Sequence, residues 1–413
     1  MNKKHLIALA LVVCMLVSMV ACAAKPAPAP EVNSPAPATS EPAPVVESEE
    51  PVATTWGEEN KITDGSQTRD ELYELAKEEG IVVLYSISSR CVAVKESFEA
   101  EYPGVICDAY DISTDELLEK ITREYDAGVR NADVIHVKDL DGTLYREKVL
   151  PGIFHNYYPD DIVATIDDKS YLTYAMPLYI ELTTWFYNTE KYPDGPPINS
   201  WWDLTREEWK GKLILSNPVD EKNYKALFSA FMQNPEVFEA DYLREFGEPI
   251  VLSEGSPTAV HEFFRRFQAN DLIYASSSDE VCESVGAAGQ SNPPLGFAAS
   301  SKLRKAASDG WLIAPIDILP STGIPGQNNL YIVNEAPHPN AAKLLVRWMT
   351  GEADGTGEGF TPFNTLGGWP VRNNVVPAEG STALDQYDVW PFDPAYIYDA
   401  ILDFEDYWLT LIA

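Results

Sequence analysis

The stretch "GIVVLYSISSRCVAVKESFEAEYPGVICDAYDISTDELLEKITREYDAGVRNADVIHV", residues 80–137, decides the fold class. Its first run, "IVVLYS" (81–86), is continuous and β-branched, the pattern of a strand buried on both faces. A Ser-rich loop and a helix around Val94 to Glu101 follow. The unit then repeats: "GVICDAYD" (104–111) reads as a strand, "STDELLEKITREYDAG" (113–128) as a capped helix ending in glycine, and "ADVIHV" (132–137) as a strand followed by another capped helix. Strands separated by helices of this length predict a parallel sheet with right-handed crossovers, an α/β fold. Just upstream, Thr68-Arg69-Asp70-Glu71 has capping-box spacing and opens a helix with Leu72, Leu75 and Ala76 on one face, stopped by Gly80.

Working outward, "YLTYAMPLYIELTTWFYNTEKY" (171–192) is long and apolar and reads as a crossover between lobes. A second αβ series follows. "SWWDLTREEW" (200–209) is expected as a helix, "GKLILSNP" (211–218) as a strand, "PTAVHEFFRRFQAN" (257–270) as a helix, and "LIYASSSDEVCESVG" (272–286) as strand, loop and helix. "WLIAPIDILP" (311–320) and "NNLYIVNEA" (328–336) are expected to return to the first lobe, and "HPNAAKLLVRWMTG" (338–351) to form an amphipathic helix. The aromatic tail from Tyr387 to Leu411 is expected to be helical and packed on that same lobe. Beyond the first 22 residues 391 remain of 413, too many for one growing core, so two lobes are expected. They are placed at 66–176 with 318–413, and at 177–317.

The N-terminus reads as an export signal: Lys3, Lys4 and His5, an apolar run to Met19, and Met19-Val20-Ala21-Cys22 as a small-residue cleavage site. The run is shorter than the about 20 apolar residues a spanning helix needs. This segment, 1–22, resembles a bacterial lipoprotein signal, which implies that Cys22 is the lipid anchor and that the mature chain sits on the outer face of the plasma membrane. "KPAPAPEVNSPAPATSEPAPVVESEEP" (25–51) has no apolar periodicity and reads, within 23–60, as an extended disordered tether. With 64 acidic against 30 basic residues, the net charge of −34 excludes nucleic acid and anionic lipid headgroups as natural partners, but not an anionic ligand in a basic cleft. Of the five cysteines, Cys91, Cys107 and Cys282 lie in the body; they lack zinc spacing and read as small buried apolar residues rather than a disulfide.

In an open α/β sheet, ligands sit beyond the carboxyl ends of the strands. The loops there carry Ser86-Ile87-Ser88-Ser89-Arg90, Asp111-Ile112-Ser113-Thr114, Lys138-Asp139 and, in the second lobe, Ser276-Ser277-Ser278-Asp279. Hydroxyls and helix N-termini bind oxyanions, and a guanidinium adds charge-assisted bonds. Singly, each Ser or Asp reads as a helix cap; the serine density in both lobes points to a ligand.

The runs "LYELAKEEGIVVLYSISSR", "SWWDLTREEWKGKLILSNP" and "APHPNAAKLLVRWMTG", in order along residues 68–352, resemble the extracellular solute-binding proteins of ABC importers, in the ferric-iron branch. The resemblance implies a two-lobed periplasmic-binding-protein-like fold of type II, each lobe a mostly parallel sheet flanked by helices. It further implies a crossing near Tyr174 to Glu181, a return near Ile316 to Asn329, and ligand capture between lobes before docking on a membrane permease. Ferric-binding members use a His in the first loop, a carboxylate after the third strand and paired tyrosines in the second lobe. Here those places hold Ser88-Ser89-Arg90, Lys138 and Phe297-Ala298-Ala299-Ser300-Ser301-Lys302, while Tyr157-Tyr158 reads as packing. Losing anionic ligands while gaining Arg90, Lys138, Lys302 and Arg304 points to an anionic solute such as a phosphorylated sugar, phosphonate or carboxylate; ferric iron is the alternative.

The expected ligand contacts are Ser88, Ser89, Arg90, Ser113, Lys138, Asp139, Asn217, Ser278 and Ser301, with no metal or cofactor, no catalysis and a monomeric state. One competing motif is Asp139-Leu140-Asp141-Gly142-Thr143 after a strand, similar to the first motif of haloacid dehalogenase-like phosphatases. Lys138 stands where that motif places a hydrophobic residue, so Asp139 and Asp141 are expected to cap the next helix. Gly355-Thr356-Gly357-Glu358-Gly359 has no strand before it and does not read as a nucleotide loop.

Overall fold

The computed structural model describes residues 55–391 and 393–412; the expected export signal, Cys22 and most of the expected 23–60 tether lie outside the described residues, and at the tether's described end Trp56–Glu59 is a short helix closed by a Thr55–Glu58 capping box rather than extended chain. The chain divides into two units, 1–52 and 53–413, and the second is described here.

Two sheets organise it. The first has seven strands: β1 (Ile81–Ser86), β2 (Ile106–Asp111), β3 (Val134–Lys138), β4 (Phe154–His155), β5 (Met176–Glu181), β11 (Gly326–Val333) and β12 (Trp369–Pro370), in the order β12-β5-β11-β3-β1-β2 with β4 on β11. β1 pairs in parallel with β2 and β3, whereas β11 is antiparallel to β3, β4 and β5. The second sheet has five: β6 (Thr183–Asn188), β7 (Leu213–Leu215), β8 (Ile273–Tyr274), β9 (Leu295–Ala299) and β10 (Ile313–Pro315), in the order β10-β6-β9-β7-β8. In each sheet most strands run one way, opposed by β11 and the short edge strand β12 in the first and by β6 in the second. β11 and β6 are the strands by which the chain enters each sheet from the other.

Local signals were reliable. Thr68 and Glu71 form a reciprocal capping box on the Arg69–Glu79 helix, and Gly80 closes it in the left-handed region at φ 77°. Trp201 and Trp202 are fully buried, although their segment forms two 3-10 turns, Trp201–Thr205 and Glu207–Trp209, rather than one α-helix. Likewise, a short π-turn over Tyr145–Val149 stands where a capped helix was expected after β3. All three body cysteines are free and buried.

The lobe boundaries move. β5 belongs to the first sheet, so the crossing falls at Leu182 rather than between 176 and 177. β10 pairs with β6, so only β11 returns, and the return comes at Gly326 rather than 318. The tail departs furthest from expectation. The Pro394–Ile412 helix packs on the second lobe, where Ile397, Phe404 and Trp408 are fully buried against Phe228, Phe264 and Phe267. That lobe's core is built from large rings, and a helix with an apolar stripe gains most where aromatic area is available to bury.

Candidate functional site

The ends of β1, β3, β11 and β5 line up in register: Ser86 faces His136, Lys138 faces Asn328, Asn328 faces Tyr179, and Gly326 faces Glu181. Residues two apart on a strand share a face. Ser86, His136, Lys138, Asn328, Tyr179 and Glu181 therefore form one polar row across four strands of the sheet. Ser86 Oγ lies 2.8 Å from His136 Nδ1, while His136 Nε2 and Asn328 Nδ2 are buried without hydrogen-bond partners.

Arg90 closes over this row. Its Nε donates to Ser88 Oγ at 2.9 Å and its Nη2 to Tyr179 Oη at 2.6 Å, and the guanidinium carbon sits 5.0 and 4.9 Å from the Tyr179 and Phe363 ring centres. Nη1 is buried and unpartnered. A planar cation held by two hydrogen bonds and two rings is preorganised, and its remaining donor is free for an acceptor.

Lys138 pairs with Glu181 and lines a cleft of about 320 Å³. Ile87, Ser113, Thr114, Asp115 and Asp141 form the first-lobe wall; the turn Asp220, Glu221, Lys222 and Asn223 forms the second-lobe wall. Burial pushes the Lys138 amine down to about 8; Glu221 opposes this and the charges of Arg90 and Lys302 add to it. Burial, reinforced by Arg90 and Lys138, pushes His136 down to about 3, so its ring is neutral. Burial and Arg90 also lower the Arg304 guanidinium. First-lobe Lys138 thus lies in the field of second-lobe Lys302, and second-lobe Arg304 in the field of first-lobe Arg90. Lys302 is tied to Asp279 at 2.9 Å, and Arg304 Nη1 donates to the Ser301 carbonyl at 2.7 Å.

Of the nine expected contacts, Ser113 and Lys138 line the cleft, and Arg90, braced by Ser88, stands over the polar row beside Lys138. Ser89 is exposed on the same loop. Asn217 donates to Asp220 at 2.7 Å and so shapes the second-lobe turn. Buried Ser301 and half-buried Ser278 sit beside Lys302 and Asp279, whose ion pair joins their segments. Asp139, expected both as a cap and as a ligand contact, takes the capping role. Its two oxygens accept the backbone N–H groups of Leu144 and Tyr145 at 3.1 and 2.8 Å, it is 4 % exposed, and it is not among the cleft-lining residues. Burial, reinforced by Asp141 and opposed by those N–H groups, pushes its carboxyl up to about 7. A carboxylate spent on a turn is not placed as a phosphatase nucleophile.

Sequence reasoning missed Glu181, Tyr179, His136 and Glu221. Glu181 had a legible signal: it is the sole charge in "YAMPLYIELTTWFYN" (174–188). A larger cavity of about 610 Å³ lies away from the strand ends, against Thr68, Arg347 and Glu352.

The bacterial extracellular solute-binding protein model matches residues 65–356. No curated protein matches the chain. Among solved structures, iron-bound HitA from Pseudomonas aeruginosa aligns with TM-score 0.60 at 13% identity, over 80% of this chain and 99% of that one. AfuA from Actinobacillus pleuropneumoniae, with fructose-6-phosphate bound, aligns with TM-score 0.55 at 16% identity, over 80% and 98%. An ABC transporter protein from Clostridium perfringens aligns with TM-score 0.56 at 15% identity, over 80% and 100%. At these identities the solved structures establish the two-lobed fold, and the family match extends over most of the described body. The chain therefore belongs to the bacterial extracellular solute-binding proteins, the solute-capturing components of ABC importers.

Proposed function

We propose that this protein captures a small anionic solute between its lobes and delivers it to an ABC permease, as a monomer anchored at Cys22 to the outer face of the membrane. The observation that carries the anionic reading is Arg90: a guanidinium braced on three sides, with Nη1 buried and unpartnered, in the field of three more cations on a chain of net charge −34. A solute oxyanion would satisfy that donor and relieve the repulsion among Arg90, Lys138 and Lys302. The sugar phosphate in AfuA supports the class, since that protein shares the fold. Ferric iron fits less well, because among the described residues no group of three or more His, Cys, Asp or Glu is placed to hold a metal ion.

The test is a thermal-shift and calorimetric panel on the purified protein: sugar phosphates, phosphonates, carboxylates, thiamine, polyamines and ferric iron. A true ligand at 100 times its Kd stabilises by about 2.7 kcal/mol. Phosphorylated or carboxylated compounds are expected to shift the melt. A coloured ferric complex, with no response to any anion, overturns the anionic reading and leaves the family unchanged.

A further inference from the structure

We propose that Glu181 is an internal counter-ion that occupies Lys138 in the empty protein and competes with the solute's anionic group for it, thereby setting the affinity of the site. The inference rests on the anionic reading above and adds a residue to it.

Glu181 is the last residue of β5, one position before the chain crosses at Leu182, and it is 5 % exposed. Its carboxylate pairs with Lys138, and both line a narrow recess with Asn223 and Gly326 at the floor of the cleft. Gly326 matters here. A Cβ at that position would lie 2.9 Å from the Glu181 carbonyl oxygen and 3.4 Å from Leu140, so only glycine lets β11 run this close beside the pair. Besides Glu181, the charged groups bearing on Lys138 are Arg90 from the first lobe, and Glu221 and Lys302 from the second.

A buried lysine paired with a carboxylate is already neutralised. An incoming phosphate or carboxylate therefore meets a cation whose field is largely cancelled, and it meets the Glu181 charge at close range in a poorly screened site. Two anions cannot share one buried ammonium without cost, so capture requires Glu181 to give up part of its hold on Lys138. A carboxylate that merely neutralises a buried lysine makes the opposite prediction for affinity: its removal leaves Lys138 uncompensated, loosens the floor and weakens binding. The sign of the effect separates the two roles.

The experiment compares the wild-type full chain in detergent with Glu181→Gln and Glu181→Asp, using calorimetric titration of inorganic phosphate at low ionic strength and the melting temperature of each. Glu181→Gln is expected to bind phosphate at least about tenfold more tightly than wild type, while Glu181→Asp, which keeps the charge, stays within about threefold of it. If Glu181→Gln melts too low to titrate, Glu181→Ala replaces it with the same expectation. Phosphate binding that is unchanged or weaker in the neutral variant, or undetectable in both it and wild type, overturns the role of Glu181. The anionic reading itself falls only if wild type also fails with every anion of the wider panel.

Discussion

Lys222 of the second lobe reaches Asp115 of the first, Nζ to Oδ1 at 2.7 Å, across the mouth of the cleft. The two residues are 107 positions apart. Asp115 lies in the first turn of the Thr114–Asp126 helix, and Lys222 opens the Lys222–Met232 helix. Both side chains remain substantially exposed, at 44% for Lys222 and 81% for Asp115, so the pair is screened by solvent. It is a weak link between the two walls of the cleft.

Lys222→Ala is expected to weaken solute affinity by less than about fivefold, and the difference from wild type should vanish in high salt. Calorimetric titration at two ionic strengths checks both statements; a loss that persists in high salt would mean that Lys222 touches the ligand itself.

Arg90→Ala is expected to lower anion affinity by roughly 10- to 100-fold, the range for losing charge-assisted hydrogen bonds. Arg90→Lys should recover only part of it, because an ammonium cannot span Ser88 and Tyr179 while presenting a further donor. Equal affinities for Lys and Arg variants would remove the geometric argument.

Gly367 sits at φ 76°, and a Cβ there would lie 1.9 Å from the Ser300 carbonyl oxygen, while Ser300 Oγ donates to the Gly367 carbonyl at 2.6 Å. Ser300 follows β9 of the second sheet, and Gly367 precedes β12 of the first. Gly367→Ala is therefore expected to hold the lobes apart: small-angle scattering should show a larger radius of gyration, and solute addition should fail to reduce it.

Asp133 is buried and binds four groups at once: the Val83 N–H at 2.8 Å, the His338 N–H at 2.9 Å, and His338 Nδ1 at 2.9 Å, with its own N–H on the Val83 carbonyl at 3.0 Å. The hydrogen bond that His338 donates to the Asp133 carboxylate raises His338 above its ordinary value, against the opposing effect of burial. A raised folded-state value means that the contribution is fully present below about pH 6.5, the unfolded value, and is lost as pH rises through the folded one. The stability difference between wild type and His338→Asn should shrink over that rise, measured by urea unfolding; a constant difference would show that the pair does not titrate.

Trp408→Ala is expected to destabilise by about 3 to 5 kcal/mol, since Trp408 is fully buried in the aromatic core, 5.9 Å ring to ring from Phe228. Hydrogen exchange should locate the loss in the second lobe. Faster exchange confined to the first sheet would contradict the packing of the tail.

The early part of the chain was readable because its determinants act within a few residues. A capping box closes over three positions, a left-handed glycine ends a helix at once, and β-branched runs such as "IVVLYS" are intrinsically extended. The loops after the strands were legible for the same reason, and Ser113 and Lys138 do line the cleft. Asp139 carried two readings, cap and ligand contact, because both use the same atoms: a carboxylate after a strand can accept two backbone N–H groups or face outward, and its sequence neighbours are identical in both cases.

Residue order alone thus established an α/β body with strand-end hydroxyls and cations, since propensity, capping and hydrophobic period are local properties of a chain. Only the folded chain decided that β10 stays with β6, that Trp408 seeks the rings of the second core, that Glu181 meets Lys138, and that Lys222 finds Asp115. Each of those outcomes compares burial or charge pairing between segments far apart along the backbone, and such a comparison exists only once both partners have been brought together in space.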